Sequence, residues 1–466
     1  MRTHFDIVHP VLARIGAIAD EVNVRAFVVG GYLRDCLLER PVKDIDVLVI
    51  GDGVAFAREV GERFKKRRVV VYEQFGTAML HLDELTVEFV GARKESYGRD
   101  SRKPAVSSGT LEEDLARRDF TINAIAAALN GPDRGAIVDP YRGQADLESA
   151  VLRTPLDPAA TFDDDPLRIL RAMRFAAQLG FAIEPGVLRA AEQMRSRLSI
   201  VSQERITDEL LKIMKSSRPS VGMGLMLQTG VLETVFPEIA QMAGVEQREE
   251  YHHKDVFWHT MKVVDNVAES SENVWLRLAA LLHDVGKPRT KAFREGLGWT
   301  FHGHEEIGAR MVKRIFQRLK LPMTHLKYVE KLVRLHLRPM ALVDEIVTDS
   351  ALRRLLFDAG PEIDDLMTLC KADITSKNPK HVSQVRRNYD RVVEKMSEVE
   401  EKDRLRSWQP PLDGLEIMRI FGLEPGPDVG KLKTAVREAI LEGKIPNDHQ
   451  AALDFLLRNK DEILSQ

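Results

Sequence analysis

The chain reads Phe27-Val28-Val29-Gly30-Gly31-Tyr32-Leu33-Arg34-Asp35 and, after a short gap, Lys43-Asp44-Ile45-Asp46-Val47. The apolar triplet is a strand, the glycine pair ends it, a helical pattern runs from Tyr32 to Leu38, and a second strand covers Ile45–Ile50. A Gly-Gly pair at a strand-to-helix turn lets backbone N–H groups approach a phosphate, and the helix N-terminus adds partial positive charge. Asp44 and Asp46 stand two apart on a strand and therefore share a face. Two adjacent carboxylates repel unless a cation lies between them, and hard oxygen ligands of this kind suit Mg²⁺. Such ions stabilise the attacking and leaving oxygens of an in-line displacement at phosphorus. Glu88, on the strand Val87-Glu88-Phe89-Val90, is a candidate third carboxylate.

Further strands are predicted at 69–72, 78–82 and 86–90. Beyond residue 150 the strand signals stop, and helical periodicity takes over at 166–179, 187–195 and 202–215. The expected fold class is α+β: an α/β head followed by a long all-helical body. A chain of 466 residues is too long for one core, and we divide it at 1–150, 151–245, 246–380 and 381–466. The densely charged stretch 386–406 reads as a solvated helix, and Trp408-Gln409-Pro410-Pro411 as a break before the last helical unit.

Only two cysteines occur, Cys36 and Cys370, which excludes a disulfide framework and a cysteine-based zinc site. Both lie in apolar stretches and read as small core residues. No run of 18 apolar residues appears and Met1–Pro10 lacks a signal-peptide core, so a cytoplasmic location with no membrane contact is expected. The net charge of −3 does not advertise a nucleic-acid binder. Basic clusters nevertheless occur at Lys65, Lys66, Arg67 and Arg68, at Arg93, Lys94, Arg99, Arg102 and Lys103, and at Arg168, Arg171 and Arg174.

Two further constellations carry chemistry. Arg118 offers planar donors to phosphate oxygens, and Asp119 can accept from a ribose 2′-hydroxyl. Asn123, four residues on, is expected one helical turn away on the same face. Asp165 and Arg168 are three apart on the next predicted helix. An aspartate accepts from an exocyclic amine and an arginine donates to ring nitrogens or a carbonyl. Cytosine and adenine share an amine beside a ring acceptor, so such a pair could select C and A without a nucleic-acid template.

These stretches together resemble the class II tRNA nucleotidyltransferases and bacterial poly(A) polymerases. Gly30-Gly31-Tyr32-Leu33-Arg34-Asp35 with Asp44-Ile45-Asp46 is similar to their first motif. Arg117-Arg118-Asp119-Phe120-Thr121-Ile122-Asn123-Ala124 is similar to their ribose-recognition motif. Asp139–Leu147 is similar to the short turn after it, and Asp164–Phe175 to the nucleotide-templating helix. The resemblance covers roughly residues 25–215. It implies metal-bound catalysis by Asp44 and Asp46 and nucleotide contacts from Gly31, Arg34, Arg118, Asp119, Asn123, Asp165 and Arg168, with Arg171 and Arg174 reaching the triphosphate. It also implies CTP, ATP and the tRNA 3′ end as partners. The family carries Glu-Asp where this chain has Asp164-Asp165, which leaves the first acidic position open. Tyr97–Glu113 reads as a mobile loop beside the site; in the family, such a loop helps the switch from adding C to adding A, and Arg99, Asp100 and Arg102 are its residues of interest.

Between 251 and 375 stand His259, His283-Asp284, His302, His304, His336 and Asp373. Imidazole with carboxylate suits a transition metal or Mn²⁺/Mg²⁺. The set resembles the HD superfamily of metal-dependent phosphohydrolases, which implies a second divalent or transition metal held by His259, His283, Asp284 and Asp373. His304 and His336 match the additional histidines of members that hold two metals. Finally, Gly422–Lys433 is a Gly/Pro turn opening a helix, where backbone amides with Lys431 and Lys433 could clamp an RNA phosphate. It resembles the C-terminal segment of HD-containing CCA-adding enzymes. The expected function is a nucleotidyltransferase adding CCA, or part of it, to tRNA. The alternatives are CC-only or A-only addition, polyadenylation, or an HD phosphohydrolase with an accessory RNA-binding head.

Overall fold

The computed structural model describes residues 1–42, 44–64, 69–72, 76–82, 85–96, 105–249, 252–295, 298–344, 348–375, 379–403 and 411–465. Lys43, the cluster Lys65–Arg68, the loop residues Arg99, Asp100, Arg102 and Lys103, and Trp408–Pro410 lie outside them. The chain forms two compact units, residues 1–216 with 221–235 and residues 217–220 with 236–466.

The first unit is built on strands β1 (Arg25–Val29), β2 (Asp44–Ile50), β3 (Val69–Tyr72), β4 (Thr77–Leu82), β5 (Leu85–Gly91), β6 (Arg93–Ser96), β7 (Ala105–Ser108), β8 (Ala126–Ala128) and β9 (Ile137–Val138). Seven of them form one mixed sheet in the order β3-β4-β5-β2-β1-β8-β9, and β6 pairs with β7 alone. β2 lies antiparallel to β1 with Asp46 opposite Val29, and parallel to β5 with Asp46 opposite Glu88. This register sets the end of β1, the Asp44/Asp46 face and Glu88 side by side. Phe27, Val29, Leu48 and Ala126 on the sheet pack against Leu111 and Leu115 in one buried cluster. That burial seats the helix Leu111–Ala116 and, at its end, Arg117 and Arg118.

Tyr97–Glu113 was expected to be loop throughout, yet Ala105–Ser108 is strand and a helix begins at Leu111. Thr110 caps the Glu113 N–H while the Glu113 side chain caps the Thr110 N–H. The Thr-Leu-Glu-Glu spacing of that capping box is legible in the sequence. Among the described residues strands also recur after residue 150, as three two-stranded pairings: 151–152 with 182–183, 246–249 with 252–255, and 292–294 with 298–300. They are too short to show period-two alternation, which is why pattern reading passes over them.

The expected helix at 166–179 is Leu167–Leu179, closed by Gly180 at φ 75°. It packs against the helix Gln203–Met214. In the second unit the helices Val256–Ser270, Val274–Leu282, His304–Arg318, Leu326–Leu335 and Ile363–Asp373 pack together. Of the charged stretch 386–406, residues 386–403 belong to the helix Pro379–Asp403 and 404–406 lie outside the described residues; the helix is not fully solvated. Val385, Tyr389, Val392, Met396 and Val399 are buried at helical spacing, so one apolar stripe faces the unit's interior. The last three helices enclose their own cluster, including Leu412, Ile417, Leu432, Ile440 and Leu456. Cys370 is buried, whereas Cys36 is only half-buried. Among the described residues no helix is long and apolar enough to cross a membrane.

Candidate active site and metal cluster

The glycine turn is fixed by a close approach. Gly30 sits at φ 70°, and a Cβ there would stand 2.9 Å from Arg118 Nη1 and 3.2 Å from Asp46 Oδ2. Asp44 is exposed and Asp46 half-buried on the same face of β2. Burial pushes the Asp46 carboxyl above its usual range against the opposing pull of Arg118, and the Asp44 charge adds to the rise. Glu88 is likewise raised, by burial and then by Asp46. Crowded carboxylates with raised affinity for a proton have raised affinity for any cation, and this all-oxygen set fits a hard divalent ion.

Asp46 and Glu88, but not Asp44, border a cavity of about 650 Å³ that is lined also by Gly30, Gly31, Asp119, Asn123, Asp165 and eight arginines. Each arginine described below already has a protein partner. Arg118 Nη2 donates to Asp114 Oδ2 at 3.0 Å, and Arg117 Nε donates to Asp114 Oδ1 at 3.0 Å. Asp114 is fully buried, so one carboxylate braces both guanidinium groups. Arg34 forks onto its neighbour Asp35 at 2.8 and 2.7 Å and donates to Asn123 Oδ1 at 2.8 Å. Asn123 in turn donates to Asp119 Oδ1 at 2.9 Å. The expected Asp119–Asn123 contact is present, although a short 3₁₀ turn carries it in place of an α-helix. Arg171 Nε donates to Asp119 Oδ2 at 2.7 Å. Burial alone would raise the Asp119 carboxyl, but the Arg171 charge with hydrogen bonds from Asn123 and Arg171 holds it well below the carboxylate range. Arg174, expected at the triphosphate, donates to the buried Glu209 at 2.6 Å and to Gln178 at 2.7 Å.

Asp165 corrects the expected shared helical face. It lies in extended backbone at φ −141°, ψ 101°, between helices Pro158–Asp164 and Leu167–Leu179. The following proline disfavours a helical conformation at this position. Asp165 Oδ1 accepts from the Leu167 N–H at 3.1 Å and Oδ2 from Arg205 Nη2 at 2.8 Å. Arg168 donates to the carbonyls of Thr161 at 3.1 Å and Arg117 at 2.6 Å. Both line the cavity, each held by separate anchors. The 139–147 turn braces the site from outside: Asp146 accepts from Thr121 at 2.7 Å, and Asp139 from the Gly143 N–H at 2.6 Å. Sequence reading missed Asp114, Glu209 and Arg205. The i,i+3 and i,i+4 spacing to Arg117 and Arg118 could have marked Asp114; the other two have no local signal.

In the second unit, ligand atoms of His259, His283 and Asp373 lie within 4.8 Å of one another, as do those of Asp284, His304 and His336. Asp284 joins the groups: Oδ2 stands 3.2 Å from His283 Nε2 and Oδ1 stands 3.3 Å from His304 Nε2. His283, His304 and His336 each turn Nδ1 onto the carbonyl three residues back, at 2.7, 2.8 and 2.7 Å. A carbonyl only accepts, so Nδ1 carries the proton and a neutral ring presents its Nε2 lone pair to the cluster. His304 Nε2 and His336 Nε2 face each other at 3.3 Å. His283 Nε2 and Asp284 Oδ1 are buried without a hydrogen-bond partner. Converging lone pairs and orphaned buried atoms fit a divalent metal. Lys287 donates to Asp284 Oδ2 at 2.7 Å. Burial opposes protonation of His283, but Asp284 and Asp373 push its pKa up to about 10. A bound cation would take the place of that proton.

A mixed sheet presenting two aspartates beside a glycine turn, beneath an arginine-lined cavity, is the equipment of a metal-dependent nucleotidyltransferase. Comparison with known proteins agrees. Residues 26–153 match the poly A polymerase head domain, 180–242 the probable RNA and SrmB-binding site of polymerase A, and 256–377 the HD domain. The A-adding tRNA nucleotidyltransferase of Deinococcus radiodurans is 34% identical over 73% of this chain and 78% of its own length. The multifunctional CCA protein of Nitrosococcus oceani is 33% identical over 76% and 86%. The chain belongs to the tRNA nucleotidyltransferase family. A Thermotoga maritima CCA-adding enzyme, solved in complex with a tRNA, shares its fold at a TM-score of 0.61 and 22% identity, covering 100% of this chain and 99% of that one.

Proposed function

We propose that the chain extends tRNA 3′ ends with C, C and A from CTP and ATP, in the cytoplasm. The observation that carries this reading is the single cavity in which Asp46, Asp119, Asp165 and eight arginines meet. In this reaction the tRNA 3′-hydroxyl attacks the α-phosphate and pyrophosphate leaves. Asp44 and Asp46 would hold Mg²⁺, which when bound neutralises charge on the attacking and leaving oxygens. Gly31, Arg34 and Arg118 stand at the phosphate side of the cavity and Asn123 orients Asp119, which accepts from the ribose 2′-hydroxyl. Arg171 and Arg174 would exchange their carboxylate partners for triphosphate oxygens. Asp165 accepts the exocyclic amine of the base and Arg168 donates to its ring acceptor. Segments 1–150, 151–245, 246–380 and 381–466 would then serve as catalytic head, templating neck, HD domain and tRNA-contacting tail.

The test offers purified protein a tRNA lacking CCA and a tRNA ending in CC, each with CTP or ATP alone and with both. Addition of CC to the first, A to the second and CCA with both nucleotides supports the reading. Extension of only one substrate replaces it with CC-only or A-only addition, and a long adenosine tail replaces it with polyadenylation.

The orphaned atoms of the second unit favour a second metal site, in which His259, His283, Asp284 and Asp373 would hold a divalent or transition metal that would supply Lewis-acid chemistry for phosphoester hydrolysis. Metal-stimulated phosphatase or phosphodiesterase assays with Mg²⁺, Mn²⁺, Co²⁺ and Ni²⁺ test it. If no metal binds and no ester is cleaved, the HD domain is scaffold.

A further inference from the structure

Asp165 and Arg168 do not hold one another. The Asp165 carboxylate is fixed from one side by the Leu167 N–H at 3.1 Å and from the other by Arg205 Nη2 at 2.8 Å. Arg168 is fixed independently on the carbonyls of Thr161 and Arg117. Arg205 comes from a helix 40 residues further along the chain, and it lines the same cavity. Asp165 lies outside either helix, so its backbone is not clamped by the helical hydrogen-bond ladder, and the two side-chain bonds set where its acceptor points.

We propose that Arg205 is a specificity-determining positioning residue, which aims the Asp165 carboxylate at the exocyclic amine of the incoming base. With Oδ1 committed to the Leu167 N–H and Oδ2 to Arg205, the carboxylate has little freedom to rotate. Its remaining lone pairs keep one direction, toward a donor. An amine there is accepted; the carbonyl of uracil or guanine meets a fixed negative oxygen and is rejected. Without Arg205 the carboxylate can turn, or a water can bridge it to a carbonyl, and the rejection weakens. Sequence reasoning finds only the Asp165/Arg168 half of this device, because Arg205 stands in a different helix with no motif of its own.

The proposal rests on the base-selecting role given to Asp165 above, and the experiment separates the two. Arg205→Ala, Arg205→Lys, Asp165→Ala and the Arg205→Ala/Asp165→Ala double variant are compared with wild type for kcat and KM with each of the four nucleotides. The Arg205–Asp165 pair is half-exposed, so Arg205→Ala is expected to fold, and its melting temperature is measured alongside. Expected is a loss of about tenfold in the preference for CTP over UTP and for ATP over GTP, seen more in the wrong nucleotide's gain than in the right one's loss. Arg205→Lys should restore part of it, since lysine keeps the charge as a single point donor. In the Asp165→Ala background, Arg205→Ala should add nothing, because both act through one carboxylate. If Asp165→Ala relaxes selection and Arg205→Ala does not, the positioning role is overturned while base selection by Asp165 stands. If neither relaxes it, both fall. If Arg205→Ala lowers activity equally for all four nucleotides, Arg205 binds phosphate or RNA and the proposal is likewise overturned.

Discussion

The head cavity and the HD cluster are both built from buried charge, and they store it in different forms. In the head, the acidic and basic groups neutralise one another: Asp114 with Arg117 and Arg118, Asp119 with Arg171, Glu209 with Arg174, and Asp165 with Arg205. In the HD cluster His283, His304 and His336 turn Nδ1 onto backbone carbonyls and His259 turns its Nδ1 onto the Thr375 hydroxyl, and the inward Nε2 and Oδ1 atoms are left facing one another. An ion-paired site can open by exchanging partners, which suits substrates that enter, react and leave. The HD cluster turns its ligand atoms onto a common centre, where a bound cation would take the place of the proton on His283, which suits a resident metal. The contrast teaches that the same residue types serve turnover or retention according to what stands behind them.

The largest expected effect breaks the comparison at the head's acidic edge. Asp46→Ala removes charge needed most in the transition state, so kcat for nucleotide addition should fall by about 10³-fold or more while KM changes little. Single-turnover extension of a labelled tRNA measures it, and near wild-type addition by the folded variant would falsify the catalytic assignment.

Next comes the residue that joins the two ligand groups. Asp284→Ala should empty a position in the group with His304 and His336 and remove the oxygen that faces His283 of the other, lowering metal affinity by more than the roughly 10–100-fold typical of outer-shell changes and abolishing metal-stimulated phosphoester hydrolysis. Nucleotide addition should stay near wild type, since Asp44 and Asp46 belong to the other compact unit. Metal content after dialysis and both activities are measured on one preparation; loss of addition in a folded variant would show that the units are coupled.

Stability sharpens the comparison further. Arg171→Ala leaves the Asp119 carboxylate buried without its main counter-charge, and because Arg171 is about a third exposed the cost should be about 1–3 kcal/mol. The folded-state affinity of Asp119 for a proton is depressed, so the pair's contribution is fully present above about pH 4 and is lost as pH falls below it. Urea denaturation at pH 7 and pH 3.5 should therefore show the variant's deficit shrinking in acid. A deficit that grows in acid is incompatible with the pairing described.

The smallest effect lies outside both sites. Lys431→Ala and Lys433→Ala should each weaken tRNA binding modestly and reduce the salt dependence of binding by about one unit of slope, with nucleotide preference unaltered. Unchanged binding at low salt would assign Gly422–Lys433 to a plain helical hairpin.

The sequence by itself determined the α/β head, the helical body and the pairing of Asp44 with Asp46, because strand alternation and glycine turns are local physics. It also fixed His259, His283, Asp284, Asp373, Arg118, Asp119 and Asn123 as the residues to watch. It misjudged Asp165 by extending a helix through the bond before Pro166, and it took 386–406 as solvated because charge outnumbers the apolar stripe that packs inward. Only the tertiary structure decided what stands behind each functional group: Asp114 under two arginines, Glu209 against Arg174 at a separation of 35, and Arg205 against Asp165 at a separation of 40. The reason is physical. A strand or helix pattern follows from neighbours one to four positions away, whereas an ion pair between distant helices exists only after hydrophobic burial has brought those helices together.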